Sequence, residues 1–394
     1  MINTIAKIYR QVSLLLLHIV LIFLFLNIIA YMGFRFKTLI KEHMGGLNPV
    51  YAKYGEAVYR AYPGWNKLEI NQLLQETWSR PLVYESVTQF KERPFRGKYV
   101  NVDKNGFRYG KKQGPWPPKS EFRNVFVFGG STTFGYGLPD QETIPSYLQE
   151  KLNRKAGSDE FRVYNFGQGY YYSTQEMLLF QKLLLQRFKP EVAVFIDGLN
   201  EFYFSDTNEF LWSHSLEHCA ERDVSTQAIS ILRELPLGRA MQWLVTNLVN
   251  RGSQEKEETG QRSGVAEKEL RKVIDFTIDR YKRNQKLIRS IAGAYGVRVL
   301  FIWQPIPCYK IDPKSHPFAS GSLGKPKRLF SEGYQEMEKR KNKGEFNDNF
   351  IWAADLQEGL DGSLYVDEVH YSALLCKELA DYIIRVQDKL CAAS

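Results

Sequence analysis

The chain has 394 residues, 44% of them apolar and 25% charged, which bounds it to one large domain or one domain with sizeable additions. The formal charge is +9, yet Lys and Arg are scattered and no basic block is interleaved with aromatics. That pattern argues against nucleic acid as a partner.

Residues 11–34, QVSLLLLHIVLIFLFLNIIAYMGF, contain no Asp, Glu, Lys or Arg. Their length matches the ~20 apolar residues needed to cross a bilayer. The apolar run is longer than the core of a cleaved signal peptide and no A-x-A-like triplet follows it, so an uncleaved, single-pass signal anchor is expected over 1–34. Lys7 and Arg10 precede the span while Arg35, Lys37 and Lys41 follow it, and the positive-inside rule is therefore close to a tie. His18 lies within the span, where it is expected at a helix–helix contact or facing a partner.

Residues 35–120 are mixed and aromatic-rich, ending in the turn-laden GFRYGKKQGPWPPKSE, and read as an accessory region packing on the main domain. The main domain is expected over 121–394. NVFVFGG (124–130) reads as a buried strand and ETIPSYLQEKLNRKA (142–156) as an amphipathic helix. RVYNFG (162–167) is a second strand, STQEMLLFQKLLLQRF (173–188) a helix, and EVAVFIDG (191–198) a third strand. An insertion follows at about 201–265, including the polar RGSQEKEETGQRSG, which reads as a solvated loop. A long helix then leads into the strand VRVLFIWQP (297–305), and a last helix is expected over roughly 371–390. Alternating helices and continuous Val/Ile/Phe strands predict an α/β fold, three layers with a parallel central sheet. In such sheets the ligand crevice lies beyond the carboxyl ends of the strands.

Four segments stand at such places. Ser131 follows the first strand, GQGYYYS (167–173) the second and DGLNE (197–201) the third, while YVDEVHYS (365–372) precedes the last helix. Each has a plain structural reading: Ser131 as a helix N-cap, Gly167 and Gly169 as a tight turn, Asn200 as a turn residue, Asp367 as a helix cap and His370 as a surface residue. Taken together they supply what acyl transfer needs. A serine hydroxyl requires an imidazole to take its proton, a carboxylate must orient that imidazole, and preorganised donors must meet the oxyanion. Ser131, His370 and Asp367 fit the first three parts. The backbone N–H of Ser131, one near Gly169 and the Asn200 side-chain amide fit the donors.

In order and spacing, GGST, NFGQGYYYS, GLNE and DEVH resemble the SGNH (GDSL-type) hydrolases, a family of serine esterases and acyltransferases. The resemblance covers about 122–204, the strand at 297–305 and 363–385. It implies a flavodoxin-like sheet topology, a catalytic set of Ser131, Asp367 and His370, and an oxyanion hole of Ser131, Gly169 and Asn200. Two positions depart from the family pattern. Gly130 stands where the family has Asp before the serine, and ungapped alignment puts the oxyanion glycine on Tyr170, whose backbone is the alternative donor.

The resemblance further implies acyl-ester chemistry, acetyl esters of carbohydrates or cell-envelope polymers being the expected substrates, with no metal or other cofactor. Hydrolase and O-acyltransferase share one acyl-enzyme and differ in the acceptor. A membrane-anchored chain with an extracytoplasmic (periplasmic) main domain is expected, and a membrane acyl-transfer partner fits that placement. A catalytically inactive, membrane-tethered binding or assembly subunit is the alternative. Tyr170, Tyr171, Tyr172, Phe202, Tyr203 and Trp303 fall near the expected cleft, where aromatic rings stack on sugars, line an acyl pocket or pack the core. HSLEH (214–218) matches His-x-x-Glu-His, a zinc-peptidase pattern, but lies in the insertion and reads as cleft rim or solvent-facing. Cys219, Cys308, Cys376 and Cys391 permit disulfides in an oxidising compartment or stand as free thiols.

Overall fold

The computed structural model describes residues 2–43, 49–205, 235–238, 240–241, 263–312, 315–316, 318 and 327–386. The chain divides into two compact units: Met1–Leu47 with Glu209–Gly264, and Asn48–Asn208 with Val265–Ser394.

The first unit is built on α1 (Ile2–His43), whose stretch Thr4–Arg35 is long and apolar enough to cross a membrane, a description that a signal sequence also meets. Two of its polar side chains bond back to the helix's own backbone. His18 Nδ1 donates to Leu14 O at 2.6 Å, and Asn27 Nδ2 donates to Phe23 O at 2.9 Å. Back-bonding four residues away is the way an apolar helix hides a polar side chain. The sequence HSLEH lies outside the described residues.

In the second unit the short helical segments Pro49–Tyr54 and Gly55–Ala61 precede α2 (Lys67–Trp78). Asn66 caps it, accepting from Glu69 N at 2.9 Å, while the Glu69 side chain returns to Asn66 N. Two short hairpins follow, Val83–Glu85 with Gln89–Lys91 and Phe95–Arg96 with Asn101–Val102. The central sheet comprises β1 (Arg123–Gly129), β2 (Phe161–Asn165), β3 (Val192–Asp197), β4 (Arg298–Trp303) and β5 (Phe350–Trp352), all parallel, in the order 2-1-3-4-5. This is the flavodoxin-like order, with its switch point at β1/β3. The fold is thus the parallel α/β architecture that the SGNH resemblance implies. Each strand ends within a residue or two of its expected bounds, whereas β5 was not anticipated.

Residues Asn124–Gly129 and all of β3 are buried, so both faces of these strands are covered. Helices supply the layers: α3 (Ser131–Phe134), α4 (Ile144–Ala156), α5 (Ser173–Leu185), α6 (Leu199–Tyr203), α7 (Ser263–Tyr295), α8 (Lys327–Asn342) and α9 (Ala373–Val386). Leu148 and Leu152 of α4 meet Leu375, Leu379 and Ile383 of α9 over Val125, Val127 and Val194. Across the other face run stacked rings, Phe128 on Phe195 at 4.8 Å and Phe195 on Phe301 at 5.5 Å. Each buried Phe contributes ~1.5–3 kcal/mol, and offset ring pairs add to that. Cys308 and Cys376 are free thiols, the former pushed up to about 11 by burial; Cys219 and Cys391 fall outside the described residues.

The segment before β1 is stitched to the loop after it by one fully buried arginine. Arg108 donates to Phe134 O at 2.9 Å, to Gly135 O at 2.7 Å, to Leu138 O at 2.5 Å and to Asp140 Oδ1 at 2.9 Å. After β2 the chain crosses the backbone of α3 so closely that a Cβ on Gly167 would sit 2.3 Å from Phe134 N. Backbone cannot swing aside as a side chain does. Gly167→Ala is expected to cost ~1–3 kcal/mol or more, read as a lowered midpoint in denaturant unfolding with an unchanged slope.

Candidate active site

Ser131 is the first residue of α3, and the N-cap position belongs to Gly130. The serine hydroxyl is therefore not spent on capping. Its Oγ lies 2.9 Å from His370 Nε2, and His370 Nδ1 lies 2.6 Å from Asp367 Oδ2. The second Asp367 oxygen accepts from Val369 N at 2.9 Å and His370 N at 2.8 Å, closing a tight turn that leaves the carboxylate one orientation. Capping of α9 falls to Ser372, whose Oγ accepts from Leu375 N at 3.4 Å. Burial alone would raise the Asp367 carboxyl, but the charge of His370 and three hydrogen bonds hold it below the usual carboxylate range.

Gln304, just past β4, ties the serine turn to the histidine segment: its Oε1 accepts from Thr132 Oγ1 at 2.8 Å and from Tyr371 Oη at 3.1 Å. On the other side of Ser131 stands Asn200, in α6 beyond β3. The turn into α6 is made by Gly198 at φ 144°, a region L side chains rarely enter, and a Cβ there would lie 2.1 Å from Tyr334 Oη. Asn200 Nδ2 donates to Tyr171 O at 2.6 Å and passes close to Gly130, where a Cβ would sit 2.5 Å away. A side chain at position 130 would therefore displace the Asn200 amide.

Glu201 fastens α6, accepting from Ser173 N at 2.7 Å and meeting Arg280 Nη2 at 3.2 Å. Beside it the Glu176 and Asp197 carboxyls are fully buried, and burial together with neighbouring carboxylates pushes both well above their ordinary values.

The two expected alternatives for the second backbone donor separate clearly. Gly169 N donates to Glu92 Oε1 at 3.1 Å, which corrects the expectation that this amide is open to the cleft. The Tyr170 amide, with φ at 67°, bonds to no acceptor among the described residues, nor does that of Ser131. Tyr170 is half exposed and lines, with Ser131, Asn200 and His370, a cavity of about 310 Å³. Tyr203 joins it, but Tyr171, Tyr172, Phe202 and Trp303 are buried in the packing.

Three lining aromatics escape the sequence reading: Trp78, Tyr136 and Phe330. Tyr136 stacks on the His370 ring at 5.1 Å with the planes 25° apart, and Trp78 meets that ring edge-on at 5.8 Å. Only Tyr136 carried a signal, being on the glycine-flanked turn STTFGYG five residues past the serine.

No protein-family model and no curated protein matches the chain. Among solved structures it is similar to a lipolytic protein of the G-D-S-L family from Desulfitobacterium hafniense DCB-2, at 14% identity and a TM-score of 0.33, with 67% of this chain and 99% of that one covered. It is also similar to the psychrotrophic esterase EstA from Pseudoalteromonas sp., at 12% identity and a TM-score of 0.32, covering 68% and 97%. An acetyl xylan esterase, AlAXEase, is similar at 16% identity and a TM-score of 0.32, covering 66% and 98%.

Proposed function

We propose that the chain is a serine ester hydrolase that works through an acyl-enzyme on Ser131. The observation that carries this reading is the unbroken chain of contacts from Ser131 Oγ to His370 Nε2 and from His370 Nδ1 to Asp367. In it Ser131 attacks the ester carbonyl as His370 takes its proton, and the imidazolium then protonates the leaving alkoxide. Asp367, held ionised, keeps Nδ1 protonated and steadies the imidazolium. The amides of Ser131 and Tyr170 and the Asn200 Nδ2 meet the oxyanion.

Deacylation by water makes the protein a hydrolase; deacylation by a sugar hydroxyl makes it an O-acyltransferase. Acetyl esters of carbohydrates or cell-envelope polymers are the substrate class we favour, with the half-exposed Tyr170 and the partly exposed Trp78 supplying aromatic surface at the cavity. The apolar helix Thr4–Arg35 suits membrane attachment, with the esterase on its extracytoplasmic side. An inactive tethered subunit is the second reading, motivated by Gly130 and Tyr170, but a binding module needs no Ser–His–Asp relay.

The test is labelling of the full chain, in detergent, with a fluorophosphonate, followed by peptide mapping. A single adduct on Ser131 and turnover of p-nitrophenyl acetate are expected, with rates falling as the acyl chain lengthens. No adduct and no turnover would leave the tethered subunit as the better account.

A further inference from the structure

Glu92 comes from the hairpin segment before β1, away from every strand end that carries the Ser131 site. Its side chain is nevertheless buried between two parts of that site, 1% exposed. Oε1 accepts from Tyr136 Oη at 2.6 Å and from Gly169 N at 3.1 Å. Oε2 lies 3.2 Å from Arg80 Nη1, an ion pair without hydrogen-bond geometry, and Arg80 is itself fixed by Nε donating to Glu76 O at 2.7 Å. The backbone is pinned too, Glu92 N donating to Gln168 Oε1 at 2.7 Å.

A buried acceptor left without its donors costs the full desolvation penalty, so the bonds to Oε1 are hard to give up. Tyr136 and Gly169 are thereby held to one point. Tyr136 stacks on His370. Gly169 precedes Tyr170, whose backbone sits in the left-handed region that a non-glycine residue adopts only when its surroundings impose it.

We propose that Glu92 is a positioning residue for the Ser131 site, acting through Tyr136 on the His370 ring and through Gly169 on the Tyr170 amide. The segment before the sheet is then part of the machinery. This rests on the ester-hydrolase reading of Ser131.

The experiment uses the full chain in detergent and expresses kcat per fluorophosphonate-titrated site, so that loss of folded protein does not count as loss of rate. Glu92→Gln keeps size but must set its amide nitrogen against either the Arg80 guanidinium or the Gly169 N–H, a donor facing a donor in both orientations. It is expected to lower kcat per titrated site by about tenfold to a hundredfold with little change in KM, the signature of misplaced groups. Tyr136→Phe keeps the ring and removes only its hydroxyl bond, and a fall of about threefold to tenfold is expected, with the double variant no slower than Glu92→Gln alone. Wild-type kcat per titrated site in either variant overturns the proposal. If Glu92→Gln yields no folded protein, Tyr136→Phe decides alone. A wild type that neither labels nor turns over, matching Ser131→Ala, overturns the esterase reading and this one together, whereas an active wild type with equally active variants overturns this one only.

Discussion

Ser131→Ala is expected to lower kcat for p-nitrophenyl acetate by a factor on the order of 10⁴–10⁶, with His370→Ala as damaging and the double variant no worse than either. The three groups act as one relay, so removing any member leaves only what the oxyanion donors and the cavity supply. Asp367→Asn should cost ~10⁴ for a different reason. An amide in place of the carboxylate, 2.6 Å from Nδ1, favours the tautomer with its proton on Nε2, which then cannot accept from Ser131. The same carboxyl gives a pH signature. Its folded value is held below the ordinary one, chiefly against the pull of burial, by His370 and three hydrogen bonds. The stabilisation is therefore present above about pH 4 and is lost as the pH falls through the folded value. Asp367→Asn lacks that loss. Acid unfolding followed by circular dichroism between about pH 5 and pH 2 should show wild type losing stability relative to the variant. Parallel acid curves would mean that Asp367 is not held ionised by His370.

The part of this site legible in the sequence is the part that strands deliver. Strands β1, β3 and β4 are covered on both faces, so they appear as unbroken apolar runs, and whatever follows such a run in a parallel sheet faces the crevice. Ser131 and Asn200 were found in that way, and Asp367 with His370 by their place before the last helix. Strand β5 is only Phe350–Trp352, too short to show a period, and directly follows the polar run NKGEFNDN. Helix α8 does carry apolar Leu329, Phe330, Tyr334 and Met337 at helical spacing, but among enough charge to pass for a surface loop. Glu92 is the instructive case. Nothing in local pattern links residue 92 to Tyr136 and Gly169, because the link is a buried hydrogen-bonded carboxylate between segments 44 and 77 residues apart. Gly169 illustrates the converse. Spacing placed it near the oxyanion, but only the structure reveals that its amide is spoken for.

Gly130→Ala is expected to lower kcat by ~10²–10³ while lowering stability by only about 1–2 kcal/mol. The added Cβ would lie 2.5 Å from Asn200 Nδ2 and 3.2 Å from Tyr171 O. The nearer group is the tip of a side chain and can swing away at the cost of its bond to Tyr171 O, so the fold tolerates the methyl. The catalytic geometry does not, since Nδ2 must sit where negative charge develops, and a donor displaced from that point loses most of its worth. Asn200→Ala should match the fall in kcat, and adding Gly130→Ala to it should cost little more, because both changes remove the same donor. Gly130→Asp, which restores the residue common in the resembling family, should be worse than Gly130→Ala, since its carboxylate must also find room beside the same amide. The decisive comparison is kcat against KM for all four variants. A Gly130→Ala protein with kcat within about threefold of wild type would take Asn200 out of the oxyanion role and leave the two backbone amides to carry it.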